Sequence, residues 1–196
     1  MNEPALAIID FDSVAAGIEA ADAMAKRAQI DVLRAGTVQP GRYLVLIGGT
    51  VADVEESLSA GIEVGSNAVL DHVFLAHVHP EVVSAIAGGR VPGVRDALGV
   101  VETATVASVI RAADAGVKGA DVRLVEVRLA DGLGGKGVVL FAGMVADVEA
   151  AVEIGIGTLE APDLLVRHVV IPQLHHTLWE NVSDATRFTA RVLERL

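Results

Sequence analysis

The sequence contains no cysteine, and its 196 residues include only four Phe, one Tyr and one Trp. Without cysteine the chain can form no disulfide, thiolate zinc site, cysteine-bound iron–sulfur cluster or cysteine nucleophile. With so few aromatic side chains, an aromatic-lined pocket for a large ligand is not expected. The hydrophobic residues make up 52% of the chain and are mostly Ala, Val, Leu and Ile, which suit thin, closely packed layers.

Positive charge is also scarce, since 15 Lys and Arg stand against 26 Asp and Glu, for a formal net charge of −11. Nucleic-acid binding needs a basic surface that neutralises phosphates, so no nucleic-acid partner is expected. Charged residues interrupt every apolar stretch before the roughly 18 residues that a membrane span needs. The opening segment MNEPALAIID lacks the basic region of a signal peptide. The sequence therefore predicts a cytoplasmic protein without a membrane partner, its excess apolar surface buried partly against other subunits.

An internal repeat organises the chain. Residues 5–34 and 97–126 align without a gap and share eleven of thirty positions. The pentapeptide Val-Ala-Asp-Val-Glu then occurs at 51–55 and again at 145–149, two residues further apart than the first match requires. Two residues are therefore inserted in an intervening loop of the second copy. Such self-similarity indicates two related structural units in tandem.

Both copies predict the same order of elements. Each has an apolar strand, a helix with apolar residues at spacings of four and three, a hairpin, a second helix and a closing strand. This is the order of a ferredoxin-like unit, an α/β (α+β) fold with helices packed on an antiparallel sheet. We expect a first domain at 1–90, a linker at about 88–96 and a second domain at 97–196. The predicted strands are 6–9, 30–34, 43–47 and 68–75 in the first copy, and 98–101, 122–128, 138–141 and 164–171 in the second.

Helix ends give two further expectations. Thr50 and Asp53 resemble a capping box at the start of the second helix of copy one, whereas copy two has Met144 there and lacks the cap. The stretch 178–196 predicts a terminal helix in which Trp179, Val182 and Phe188 are partly buried.

The motifs of both copies resemble a known family. ALAIID…AADAMAK and ALGVVE…AADAGVK are similar to the start of the bacterial microcompartment (BMC) domain, in which a strand of the type ALGxxE leads into a helix ending AADAMxK. The glycines Gly49 and Gly143 and the late elements 76–79 and 172–175 fit the same pattern. Because these motifs cover nearly the whole chain in order, it is identified as a tandem-domain BMC shell protein of the non-permuted, single-layer type.

The resemblance implies a structural protein and not an enzyme. Tandem members form homotrimers that imitate a hexamer, and these tiles join other hexameric and pentameric shell proteins edge to edge around enzymes. The turn between the second and third strands lines a central pore for small polar metabolites. The implied pore-lining residues here are Gln39, Pro40 and Gly41 in copy one and Leu133, Gly134 and Gly135 in copy two. No cofactor is implied, because the iron–sulfur cluster that one subclass carries at the pore needs a cysteine.

Several features beside these turns have two interpretations. The glycines could be ordinary turn residues. Arg42 and Lys136 could add positive charge at a pore or be solvated loop charges. Lys26 and Lys118 each follow an Asp by four residues, which predicts exposed helical ion pairs, whereas the resemblance places them at tile edges.

The late histidines raise the question of a metal. The resemblance implies further tile-edge contacts at His77, His79, Gln173 and His175, with His77 and Gln173 where the family usually has Arg. His77 and His79 could instead face one side of a strand as metal ligands. No carboxylate motif completes such a site, so no metal is expected.

Two other functions compete with the shell role. Duplicated ferredoxin-like domains also bind small effectors between their copies, so the alternative is a small-molecule-binding regulatory protein. For an enzyme, Asp10 and Glu102 end the first strands of the two copies, but no second acid, nucleophile or orienting His lies at a matching spacing. Both acids are therefore predicted to be structural.

Overall fold

The structure is a computed structural model that describes residues 5–90, 96–184 and 186–187. The first domain consists of β1 (Ala5–Phe11), α1 (Val14–Arg27), β2 (Val32–Val38), β3 (Arg42–Gly49), α2 (Val51–Gly65), β4 (Val69–Leu75) and α3 (Pro80–Ile86). The second consists of β5 (Ala97–Thr103), α4 (Val106–Gly119), β6 (Arg123–Leu129), β7 (Gly137–Gly143), α5 (Val145–Gly157), β8 (Leu165–Pro172) and α6 (His176–Asp184). The predicted repeat is thus a repeat of structure as well as of sequence.

Each domain is built on one four-stranded sheet. The strand orders are β2-β3-β1-β4 and β6-β7-β5-β8, and every neighbouring pair is antiparallel. This topology, with two helices against each sheet, confirms the predicted α+β class and the ferredoxin-like order. The small aliphatic residues permit close helix packing: a side chain at Gly61 of α2 would collide with Met24 of α1.

Helix starts follow the predicted chemistry. The Thr50 side chain accepts a hydrogen bond from the Asp53 N–H at 3.3 Å and so caps α2. Met144 makes no side-chain cap at α5, as predicted. These local rules hold because a cap depends only on residues within one helical turn.

Two elements of the first domain differ from the sequence expectation. β2 spans Val32–Val38 and not 30–34, because its ladder with β3 continues through exposed and polar positions up to the turn, where Val38 pairs with Arg42. Helix α3 was not predicted. Its signal was Pro80 at the first helical position after His79, whose side chain accepts the Glu81 N–H at 3.3 Å.

The predicted terminal helix begins two residues early, at His176, and is described to Asp184. Trp179 is buried against the outer face of the second sheet, and Val182 packs on the same cluster. Phe188 and the rest of the predicted helix, 188–196, lie outside the described residues. So do residues 91–95 of the predicted linker.

Candidate functional site at the domain seam

The two domains share a contact that we call the seam. Helix α4 of the second domain packs on β1 and β4 of the first, and α3 of the first domain packs on β6 of the second. A single apolar cluster crosses it, formed by Ile8, Val73, Val78, Val82 and Ala85 of the first domain and Val106, Ile110, Leu124 and Val127 of the second. The domains therefore share a core and are held side by side.

Asp71 on β4 forms the polar centre of the seam. Its Oδ2 accepts hydrogen bonds from the hydroxyls of Thr105 and Ser108, the latter at 2.6 Å. Thr105 is also the N-cap of α4 and accepts the Ser108 N–H at 3.3 Å. Further along α4, Arg111 donates to the His72 carbonyl at 2.8 Å. Buried polar groups of both domains thus satisfy each other across the contact.

Asp10 lies fully buried beside this network. Its Oδ2 accepts the Val106 N–H at 2.7 Å, while its Oδ1 has no partner among the described residues. Burial raises the pKa of Asp10 to about 7; the hydrogen bond from Val106 opposes the shift, the charge of Asp71 adds to it and that of Arg42 opposes it. The acid holds the start of α4, which agrees with the structural role predicted for it.

Arg42 connects the two turns that the sequence assigns to a pore. Its Nη1 donates to the carbonyls of Gly135 and Ala104, both at 3.0 Å. Gly135 has φ +86°, and a Cβ there would lie 2.7 Å from the Arg42 Nη1. The turn after β2 and the turn after β6 therefore lie side by side in one chain.

The predicted pore residues differ in exposure. Exposed positions are Gln39, Pro40, Gly41 and Gly134, whereas Leu133 is half-buried and Gly135 is buried. The two basic residues beside the turns have different surroundings: Arg42 lies in the seam, whereas Lys136 forms an ion pair with Glu102 at 2.5 Å and its side chain remains 42% exposed.

The two predicted edge lysines have different surroundings. Lys26 and Lys118 pair with Asp22 and Asp114 at 2.5 Å, so the predicted helical ion pairs are present. The Lys26 side chain is 73% exposed, whereas that of Lys118 is 40% exposed. Lys118 also donates to the carbonyl of His77, across the seam. The lysine of the second copy therefore takes part in the domain contact as well.

The remaining edge candidates surround the ends of β4 and β8. The N–H of His79 donates to Asp114 Oδ1 at 2.8 Å, which places this residue at the seam. His77, Gln173 and His175 are exposed. Among the described residues, no three His, Asp or Glu side chains lie close enough together to hold a metal ion.

An apolar groove of about 630 Å³ lies on the outer face of the first sheet, between the sheet and α3. Leu6, Leu44, Leu46 and Ile86 are among its lining residues. The corresponding face of the second sheet is covered by Trp179 of α6. No helix in the described segments has the length and apolar character to cross a membrane.

Sequence reasoning missed the residues that hold the seam. Asp71, Ser108 and Arg111 belong to regular elements and carry no motif of their own. The available signal was disagreement between the copies, because the aligned positions hold Arg167, Ala16 and Glu19.

Comparison with known proteins places both halves of the chain in one family. The BMC domain matches residues 5–78 and 97–174. The chain is 38% identical to the bacterial microcompartment shell protein PduT of Citrobacter freundii over 180 residues, 92% of this chain and 98% of that protein. It is 34% identical to the carboxysome shell protein CcmK2 of Synechococcus elongatus over 79 residues, 38% of this chain and 78% of that protein.

A solved structure agrees over nearly the whole length. The crystal structure of a microcompartment protein from Desulfitobacterium hafniense DCB is 43% identical, with a TM-score of 0.78, and covers 91% of this chain and 99% of that one. Two matched domains and relatives of nearly full length identify the kind of protein. The chain belongs to the BMC-domain family and is a tandem-domain shell protein of bacterial microcompartments, with a structural and not an enzymatic role.

Proposed function

We propose that three copies of this chain form a ring of six domains, a pseudohexameric tile with a central pore for small polar metabolites. The supporting observation is a difference in burial between aligned positions of the two domains. Ile110 on α4 is 0% exposed, whereas the aligned Ile18 on α1 is 53% exposed. Val73 on β4 is 1% exposed, whereas the aligned Val169 on β8 is 38% exposed.

These differences have one cause. The seam covers α4 and β4, while α1 and β8 expose the matching apolar positions. Each chain thus carries two unpaired halves of a seam, the α1 face and the β8 face. Contact between the β8 face of one copy and the α1 face of the next would repeat the seam between chains.

A contact of this head-to-tail kind produces a closed ring or an open filament. The family resemblance implies six equivalent domain positions, which three two-domain chains fill. The side-by-side turns joined by Arg42 support the pore, because a ring would alternate 39–41 with 133–135 around its axis. A Cβ at Gly41 or Gly134 would meet no atom within 4 Å, so these turns leave backbone groups accessible to a polar solute.

The outer rim of the tile would contact neighbouring hexameric and pentameric shell proteins. The proposed edge residues are Lys26, Lys118, His77, His79, Gln173 and His175. Exposure supports this role most clearly for Lys26, His77, Gln173 and His175. Lys118 and His79 would combine an edge role with their contacts at the seam.

The direct test is the solution mass of the purified full chain. We expect size-exclusion chromatography with light scattering to give three times the mass of one chain. Negative-stain electron microscopy at higher concentration should then show sheets or shells, alone or with a hexameric shell protein. A stable monomer or dimer would contradict the proposal.

A further inference from the structure

The α1 face carries acids and the β8 face carries bases. The aligned surfaces inside the seam, those of α4 and β4, do not bind each other through a pair of opposite charges. Within the seam, the carboxylate of Asp71 faces the hydroxyls of Thr105 and Ser108. Arg111 on α4 reaches the backbone carbonyl of His72. In the α4–β4 part of the seam, the contact is thus made by a carboxylate with hydroxyls and by an arginine with a carbonyl. The α3–β6 part of the seam contains an ion pair, between Glu81 and Arg123 at 2.8 Å.

Strand register identifies the residue that replaces Asp71 on the β8 face. In the first sheet Asp10 lies opposite Asp71, and in the second sheet the aligned Glu102 lies opposite Arg167. Arg167 therefore takes the place of Asp71, with the opposite charge. On the other side, Glu19 of α1 aligns with Arg111 of α4, and this charge is reversed as well.

The turn beside the strands repeats the pattern. Arg42 and Lys136 each come directly before the residue that pairs with the end of the central strand, so they are equivalent positions. Arg42 donates to the carbonyl of Ala104, and the residue that aligns with Ala104 is Asp12. The α1 side of the chain therefore presents two acids, Asp12 and Glu19. The β8 side presents two bases, Arg167 on β8 and Lys136 beside the turn before β7.

These groups are available for a partner. Asp12, Glu19 and Arg167 are exposed, and none of them forms an ion pair with another described residue. Lys136 pairs with Glu102 of its own chain and retains further N–H donors. His168, next to Arg167 on β8, is exposed as well.

We propose that the α1 face of one copy binds the β8 face of a second copy through Glu19 with Arg167 and Asp12 with Lys136. The inference rests on the proposed ring. It gives the contact between chains a different chemistry from the contact within a chain. The α1–β8 contact between chains is ionic, whereas the equivalent α4–β4 contact within a chain joins Asp71 to hydroxyls and Arg111 to a carbonyl.

The same charges disfavour wrong pairings. A first-domain β4 face placed against an α1 face would bring Asp71 towards Glu19. A second-domain α4 face placed against a β8 face would bring Arg111 towards Arg167. Both of these pairings require the seam within a chain to open, because that seam covers β4 and α4. Like charges in contact would therefore act against assemblies in which domains are exchanged between chains, whereas closed chains joined head to tail alternate the two domains in any case.

A charge-exchange series on the full chain tests the pairing. We expect Glu19→Arg and Arg167→Glu each to weaken assembly at least tenfold, measured by sedimentation velocity over a concentration series at low and moderate salt. The double variant E19R/R167E should restore assembly to near the wild-type concentration range. Glu63→Arg is the matched control, because Glu63 is exposed on α2, which packs within its own domain.

The outcomes separate the pairing from the ring itself. If the wild type is a trimer and both single variants assemble as well as it does, the pairing is wrong and the ring stands. A folded double variant that fails to reassemble also overturns the pairing. If the wild type does not assemble, the proposed ring fails first. Circular dichroism checks folding, and the milder Glu19→Gln and Arg167→Gln variants replace any variant that does not fold.

Discussion

Arg42 donates from Nη1 to the carbonyl of Gly135 at 3.0 Å, and this bond joins the turns of two domains that lie far apart in the chain. The same nitrogen bonds the carbonyl of Ala104. The residue that follows the first turn therefore sets the position of the second turn. In a ring, this bond would occur within each chain but not between chains, where Lys136 replaces Arg42.

Removal of this bond should loosen the domain seam. Arg42→Ala leaves two partly buried carbonyls without their charged donor, which typically costs about 1–3 kcal/mol. We expect a lower midpoint of urea unfolding than that of the wild type. The matched control is Arg34→Ala, because the exposed Arg34 side chain donates, among the described residues, to the neighbouring Leu33 carbonyl alone. Equal midpoints for the two variants would show that the Arg42 bond does not stabilise the seam.

The pKa of Asp10 predicts a specific pH dependence of stability. Its folded pKa of about 7 lies above the ordinary value of 3.8, so the folded chain binds more protons than the unfolded chain between pH 4 and 7. The free energy of unfolding contributed by this group therefore falls as the pH rises through that window and levels off above it. Asp10→Asn stays neutral and can still accept the Val106 N–H, so it should be the more stable form at pH 8, by roughly 4 kcal/mol at most.

Urea unfolding at pH 5, 6, 7 and 8 measures this difference. The difference in free energy of unfolding between Asp10→Asn and the wild type should widen up to about pH 7. Asp31→Asn serves as the control, because Asp31 is exposed and precedes β2. A gap that does not change with pH would show that Asp10 does not take up its proton in this range.

The sequence predicted the scaffold well because strands, helices and caps depend on local spacing. The buried first strands, the α1 and α4 periodicity and the Thr50 cap all follow from residues within one or two turns. The seam depends instead on how two finished domains lie against each other, which no local pattern encodes. From the sequence alone, Asp71 in the middle of a strand is indistinguishable from an exposed acid, and Arg42 is predicted to lie at a pore. Their roles in the seam depend on the position of the neighbouring domain. Helix α3 was missed because its seven residues are too few for a periodic pattern.

Comparison between the copies recovers part of what local patterns miss. Two aligned positions with different residue types belong to different environments, as Asp71 and Arg167 do. Two aligned positions with the same residue can still differ in burial, as Ile18 and Ile110 do. A difference in burial between identical residues is visible only in the structure. It also provides a test of the proposed contact between chains.

Ile18 and Ile110 are the same residue at the same position of the repeat, but their substitution should have different consequences. Ile110→Ala removes a fully buried side chain from the seam core and should cost about 2–5 kcal/mol of unfolding free energy. Ile18→Ala changes a side chain that is 53% exposed in the single chain, so it should leave the unfolding of the dissociated chain nearly unchanged. In the ring the same substitution would remove apolar surface from each contact between chains and weaken assembly.

Two measurements on the two variants separate these effects. Urea unfolding at protein concentrations below assembly reports the stability of the chain, and sedimentation velocity at higher concentration reports the ring. We expect Ile110→Ala to lower the stability of the chain, and Ile18→Ala to weaken only the assembly of the ring. If Ile18→Ala assembled as well as the wild type, the α1 face would not be the surface that a second copy covers, and the burial difference between the domains would need another occupant.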